Sequence, residues 1–254
     1  MHSLIDAHCH LDFPAFDSDR AEVIARANIH GIRQIVIPGV KRDCWERISE
    51  LCDSNTQLFA CYGLHPYFAN EHSDDDLLQL SAWLGKHDYV AVGECGLDYR
   101  KQQADRQRQL LFFEAQLEIA HHHNKPIVIH SVHATADVIN AIKSYPGLRG
   151  MVHSYSGSYE QAMTLIDQGF YISLGGAITY DRAGKIRSTA AKIPLSSILL
   201  ETDAPDQPDV EHHRQRNEPA YLVNTLECLS ELRDESIEDI AAQTTANTRA
   251  LFQI

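Results

Sequence analysis

The feature that most restricts the fold of this chain is an alternation of short β-branched or apolar runs with longer amphipathic ones, sustained from end to end. Runs at 4–10, 34–39, 58–63, 89–94, 126–130, 150–153, 170–174 and 198–203 read as strands, being too short for helices and closed by glycine or polar residues. Between them, 17–30, 43–53 and 105–123 carry apolar residues at three- and four-residue spacing and read as helices. A further helix passes through Val138, Ile139 and Ile142, and the chain is helical again from Glu218 onward. Asp74, Asp75 and Asp76 suit the positive end of a helix dipole and read as a cap.

Eight strands separated by helices within 254 residues, with no repeat or linker, predict an α/β chain forming one (β/α)8 TIM-type barrel domain over 1–254. An open doubly wound sheet would usually have fewer strands and a glycine-rich loop after the first. That position holds His8, Cys9 and His10 instead, and neither a G-x-G-x-x-G nor a G-x-x-x-x-G-K-[ST] pattern occurs, so no nucleotide cofactor is expected.

Strand ends of such a barrel converge at its C-terminal face. Strand one ends in His8 and His10, whose side chains share a face because strand residues alternate. Strand four ends in Glu94, strand five in His130, strand six in His153 and strand eight in Asp203. Four imidazoles and two carboxylates exceed what one four-coordinate ion with an open position requires, so two divalent ions are expected. His8, His10 and Asp203 would hold one and His130 and His153 the other, with Glu94 bridging. Zinc, manganese and magnesium all suit this set. Singly, each histidine reads as an ordinary hydrogen-bonded residue, and Glu94 or Asp203 as a helix cap; the shared strand-end position changes the balance.

The formal charge of −13 gives a field that repels phosphate backbones, so nucleic acid would have to be bound locally. Six cysteines without a Cys-x-x-Cys pair read as reduced thiols of a cytoplasmic protein. No apolar run approaches the roughly 18 residues of a membrane span, and the chain is expected to be a monomer.

These residues resemble the TatD-like metal-dependent hydrolases, often called TatD-type DNases, of the amidohydrolase-like barrel superfamily. The resemblance rests on 5–12, 63–66, 93–99, 126–131, 153–158 and 201–205, nearly the whole chain. It implies a TIM-type barrel, a divalent-metal site and hydrolase activity, DNA being the substrate of several members. Its metal ligands fall on His8, His10, Glu94, His130, His153 and Asp203, with Glu94 and Asp203 also catalytic. His65 of the Gly-x-His-Pro motif is implied as a wall of the substrate site. Where the family usually has an arginine after His-Ser, this chain has Val132, which removes an expected phosphate contact. The loop 206–217 looks specific to a subgroup.

Arg100 follows the Gly-Leu-Asp-Tyr segment and is a candidate phosphate contact, as are Arg214 and Arg216; Tyr155 is a candidate base-stacking residue. His121, His122 and His123 end a helix, where histidine suits the dipole, and read as no metal site. The expected function is that of a deoxyribonuclease using a metal-activated hydroxide. The alternative is hydrolysis of a small ester, amide or phosphoester on the same scaffold, and a non-catalytic binding protein ranks third.

Overall fold

The structure, a computed structural model, describes residues 2–254. Eight parallel strands pair in sequence order: β1 (Leu4–Asp6), β2 (Ile32–Pro38), β3 (Leu58–Tyr62), β4 (Ala91–Asp98), β5 (Ile127–Val132), β6 (Gly150–Val152), β7 (Phe170–Leu174) and β8 (Ile198–Leu200). The first and last strands meet through two backbone hydrogen bonds, Ala7 N–H to Leu200 O at 3.0 Å and Asp203 N–H to His8 O at 2.9 Å. The result is the expected (β/α)8 barrel. No helix among the described residues is long and apolar enough to cross a membrane.

Helices α1 (Arg20–Ile29), α2 (Arg42–Asp53), α3 (Asp74–Leu84), α4 (Arg106–His122), α5 (Thr135–Ile142), α6 (Tyr159–Asp167) and α7 (Gly184–Lys192) each connect successive strands, and α8 (Leu222–Leu232) and α9 (Ile237–Phe252) follow β8. The acidic triplet opens α3 within a capping box formed by Ser73 and Asp76. The expected helix at 17–30 begins later, at Arg20, because Pro14–Phe16 first makes a 3-10 turn with proline at its start.

A large apolar cluster lies between strands and helices, containing Phe16, Trp45, Tyr62, Phe113 and Leu117. A second cluster joins Val36, Cys61, Ala91, Val128, Met151 and Leu199 from six strands to Leu251 and Phe252 of α9. Strand alternation puts Val128 and Met151 on the same face as His130 and His153, so this cluster lies inside the barrel beneath the histidines.

Two glutamines of α4 grip the strand ends beside it. Gln116 accepts from Leu64 N–H at 2.7 Å and donates to Leu64 O at 3.1 Å. Gln109 does the same with Asp98, accepting from N–H at 2.7 Å and donating to O at 2.8 Å. Both side chains are buried, so these bonds satisfy backbone groups that water cannot reach. They also fix the chain on either side of the site, next to His65 and at Asp98 itself.

Candidate metal centre

The strand boundaries differ from the sequence reading where the site is built. β1 ends at Asp6, but the chain stays in ladder contact: Cys9 N–H donates to Val36 O and His10 N–H to Ala204 O. His8 and His10 therefore point the same way, their rings edge to face with centroids 5.0 Å apart. Cys9 lies in the core on the other face.

β4 does not end at Glu94, as the sequence suggested; it continues to Asp98. Its pairing with β5 shifts between Val92 and Cys95, three residues of β4 facing two of β5, so Glu94 sits in a bulge. Glycine makes the path possible. Gly93 and Gly96 have φ of 136° and 135°, and a Cβ at Gly96 would lie 2.1 Å from His130 O. β6 and β8 end before His153 and Asp203, which lie on the loops just beyond. Asp203 takes a left-handed φ of 57°, a conformation costing roughly 1–3 kcal/mol that surrounding contacts must hold.

Glu94 is the centre of the arrangement. Its Oε2 lies 3.2 Å from His8 Nε2 and 3.4 Å from His10 Nε2, and Asp203 Oδ1 lies 3.3 and 3.5 Å from the same two nitrogens. Its Oε1 faces a second group: His153 Nε2 at 2.8 Å, His65 Nε2 at 2.9 Å and His130 Nδ1 at 3.1 Å. Burial works against charge on Glu94, but His153, His65 and His8 hold its carboxyl well below the usual range. Asp203 is likewise held low against its burial, by the adjacent rings of His10 and His8.

The donor set fits cation binding. His8 Nε2 and Glu94 Oε2 are both buried and close, yet neither makes a hydrogen bond within the protein; His8 Nδ1, His10 Nδ1 and His153 Nδ1 also lack partners. Converging lone pairs in a dry site are costly unless a cation shares them. Groups of His8, His10 and Glu94, and of His65, Glu94 and His130, each bring their ligand atoms within 4.8 Å of one another.

His65 has a fixed tautomer. Its Nδ1 accepts from Tyr67 N–H at 2.9 Å, so in the neutral ring the proton is on Nε2, which faces Glu94. Burial presses the ring toward neutrality, its pKa lowered to about 4. His65 is thus a hydrogen-bond donor on the wall of the site.

Three buried carboxylates behind the histidines were not singled out from sequence. Asp98 Oδ2 lies 3.2 Å from His130 Nε2. Glu201 accepts from Ser154 N–H and Ser173 Oγ, both at 2.5 Å, beneath His153. Asp6 accepts from His8 N–H at 3.2 Å and from Thr202 N–H at 3.0 Å. The signal was available: an acidic residue inside an apolar strand run is almost never fully buried unpaired.

The other candidates separate. Arg100 borders the cavity over the site but is paired with Asp98, its Nε 2.9 Å from both carboxylate oxygens. Arg216 turns away to Asp19, whereas Arg214 lines a neighbouring pocket. Tyr155 is buried with its hydroxyl on Ser158 O at 2.6 Å, which rules out base stacking. His123 bonds Tyr89 and His212 stacks on Tyr221, both away from the centre.

The family model described as TatD related DNase matches residues 5–253. This chain belongs to the TatD family. Among its relatives, the uncharacterized metal-dependent hydrolase YjjV of Escherichia coli K12 is 38% identical over 253 residues, 98% of each chain. YabD of Bacillus subtilis, named in the same way, is 34% identical over 99% of each chain. The crystal structure of YjjV superposes with a TM-score of 0.95 at 37% identity, covering 99% of this chain and 98% of that one. A TatD-family chain of this kind is a metal-dependent hydrolase.

Proposed function

We propose that this TatD-family hydrolase is a deoxyribonuclease that holds two divalent ions and cuts phosphodiester bonds near strand ends. The observation that carries the reading is the division of Glu94: Oε2 faces His8 and His10, and Oε1 faces His130 and His153. A carboxylate with one oxygen in each of two imidazole groups is what a bridging ligand needs. His8, His10 and Asp203 would complete one ion's set, and His130 and His153 the other's. When bound, such ions supply Lewis-acid polarisation and lower the pKa of water at neutral pH.

The chain's own groups do the rest. Gln207 donates its amide N–H to Asp203 Oδ2, leaving Oδ1 toward His8 and His10. Asp203 is in place to take the proton of the attacking water and return it to the leaving oxygen. His65, with its proton on Nε2, is a neutral donor to Glu94 Oε1 and orients that carboxylate. Phe13, Tyr67 and Phe68 line the same cavity, of about 660 Å³, and Tyr67 is 56% exposed, a face on which an unpaired base can stack.

One observation favours hydrolysis of a small ester or phosphoester instead. Among the described residues Arg100 is the one lysine or arginine lining that cavity, and it is tied to Asp98. The test is a panel of single-stranded DNA, duplex DNA, RNA and small esters, run with Mg²⁺-, Mn²⁺- or Zn²⁺-loaded protein beside the Asp203→Asn variant. Nucleotide release by the wild type and not by the variant supports the nuclease reading. Ester turnover without nucleotide release replaces it.

A further inference from the structure

Beside the metal cavity lies a second pocket, of about 600 Å³, lined by Tyr180, Arg182, His213 and Arg214. The two are continuous, sharing Ala177, Asp206 and Gln207 as common walls. Each is within the roughly 300–1,000 Å³ that surrounds a molecule of nucleotide size. We propose that this second pocket binds the adjoining phosphate and nucleotide of a single-stranded polynucleotide whose scissile bond lies over Glu94 and Asp203. The proposal rests on the nuclease reading and specifies its substrate: a chain that extends beyond the cut.

Charge is the first argument. In a chain of net charge −13, about half of the fifteen arginines are engaged by carboxylates, among them Arg20, Arg26, Arg42, Arg47, Arg100, Arg216 and Arg233. Arg182 and Arg214 are among those that form no ion pair in the described residues, and these two are brought together, both exposed, on this one pocket. Arg182 lies over the Tyr180 ring, 5.2 Å from its centroid, which orients the guanidinium without neutralising it. Two nearby carboxylates oppose an anion. Asp181 is fully exposed and 4.0 Å from Arg187, and Asp206 stands at the junction with the metal cavity. They place the phosphate on the Arg182 and Arg214 side, next to the cavity that holds Glu94 and Asp203.

Preorganisation is the second argument. The loop that carries Arg214 is fastened along its length: Asn217 donates to Thr202 O and Asp206 O at 2.8 Å, and Val210 N–H to Thr179 Oγ1 at 2.8 Å. Tyr180 Oη lies 2.9 Å from Pro208 O and 3.1 Å from His213 Nδ1. Gln207, in the same loop, holds Asp203. The second pocket is therefore fixed relative to the reacting centre, and little ordering cost remains for a ligand that spans both.

The test compares wild type with an Arg182→Gln, Arg214→Gln double variant, both metal-loaded. Binding of a short fluorescent oligothymidylate is followed by anisotropy across a salt series, with Asp203→Asn added to each protein so that nothing is cut. Loss of the one neutralised phosphate on a single strand lowers the slope of log K against log salt by about 0.7, and affinity falls about tenfold or more at low salt. In turnover by the proteins with Asp203 intact, the loss for a trinucleotide exceeds the loss for a single small phosphodiester by about tenfold. Equal slopes and affinities, or an oligonucleotide that the wild-type background does not bind, overturn the subsite. Oligonucleotide binding with the expected slope change but no cleavage by wild type retains the subsite and overturns the nuclease reading alone.

Discussion

His130 is held from both ends of its ring: Nε2 lies 3.2 Å from Asp98 Oδ2 while Nδ1 faces Glu94 Oε1 at 3.1 Å. A buried carboxylate that accepts a hydrogen bond from one ring nitrogen fixes which nitrogen is free for a metal. Burial raises the cost of charge on Asp98, but His130 and Arg100 keep its carboxyl well below the usual range, so it is a standing acceptor. Replacing Asp98 by Asn keeps the shape and removes the charge. The variant is expected to lose about 10–100-fold in metal affinity or activity, read by metal titration and by turnover on the same preparation.

Glu94 is the single residue on which both halves of the site depend. In Glu94→Gln one oxygen becomes an amide nitrogen, which cannot serve as an anionic ligand. If the proposed two-ion site is right, metal content measured by mass spectrometry should drop from two ions to one or none per chain, with activity reduced by about 10²-fold or more. A variant that keeps two ions and full activity would remove the bridge from the reading.

In the proposed mechanism, Asp203 and Gln207 separate proton transfer from positioning. Asp203→Asn should abolish most turnover, a loss of about 10²–10⁴-fold, while far-ultraviolet circular dichroism stays that of the wild type. Gln207→Leu removes only the donor to Oδ2 and the bond to Ser154 Oγ at 2.7 Å. Its loss should be smaller, about tenfold, and confined to kcat, because the carboxylate remains but is no longer aimed.

Metal affinity should rise with pH. Burial and His153 work against a proton on His8, yet Glu94 and Asp203 carry its pKa up to about 9 in the metal-free protein. Below that pH an ion must displace the proton, so apparent affinity falls as pH falls and levels off above about 9. Calorimetry in buffers of different ionisation enthalpy counts the protons released. Affinity independent of pH between 6 and 9 would contradict the assignment of His8.

Gln116 is the stability counterpart. Gln116→Leu leaves the buried N–H and C=O of Leu64 unpaired, at about 1–3 kcal/mol each. Urea midpoints should shift accordingly. Activity measured well below the transition should fall as well, because Leu64 leads directly into His65.

Much of this molecule follows from local rules. The strand at 170–174 coincides with β7, since an apolar run closed by two glycines has few other options. His8 and His10 share a face because alternation persists past the end of β1. Glu94 was placed at a strand end on the same reasoning and in fact occupies a bulge, which depends on how β5 approaches Gly93 and Gly96.

What the sequence determined by itself was the set of chemical groups and their period: eight strands, four histidines and two carboxylates toward their C-terminal ends, and a family resemblance written in those segments. Tertiary structure alone decided which group meets which. That His65 turns a protonated nitrogen to Glu94 and that Asp98 stands behind His130 are contacts between residues far apart in the chain. Propensity and periodicity act over a few residues, whereas such pairings are fixed only when barrel closure brings distant strand ends within hydrogen-bond range.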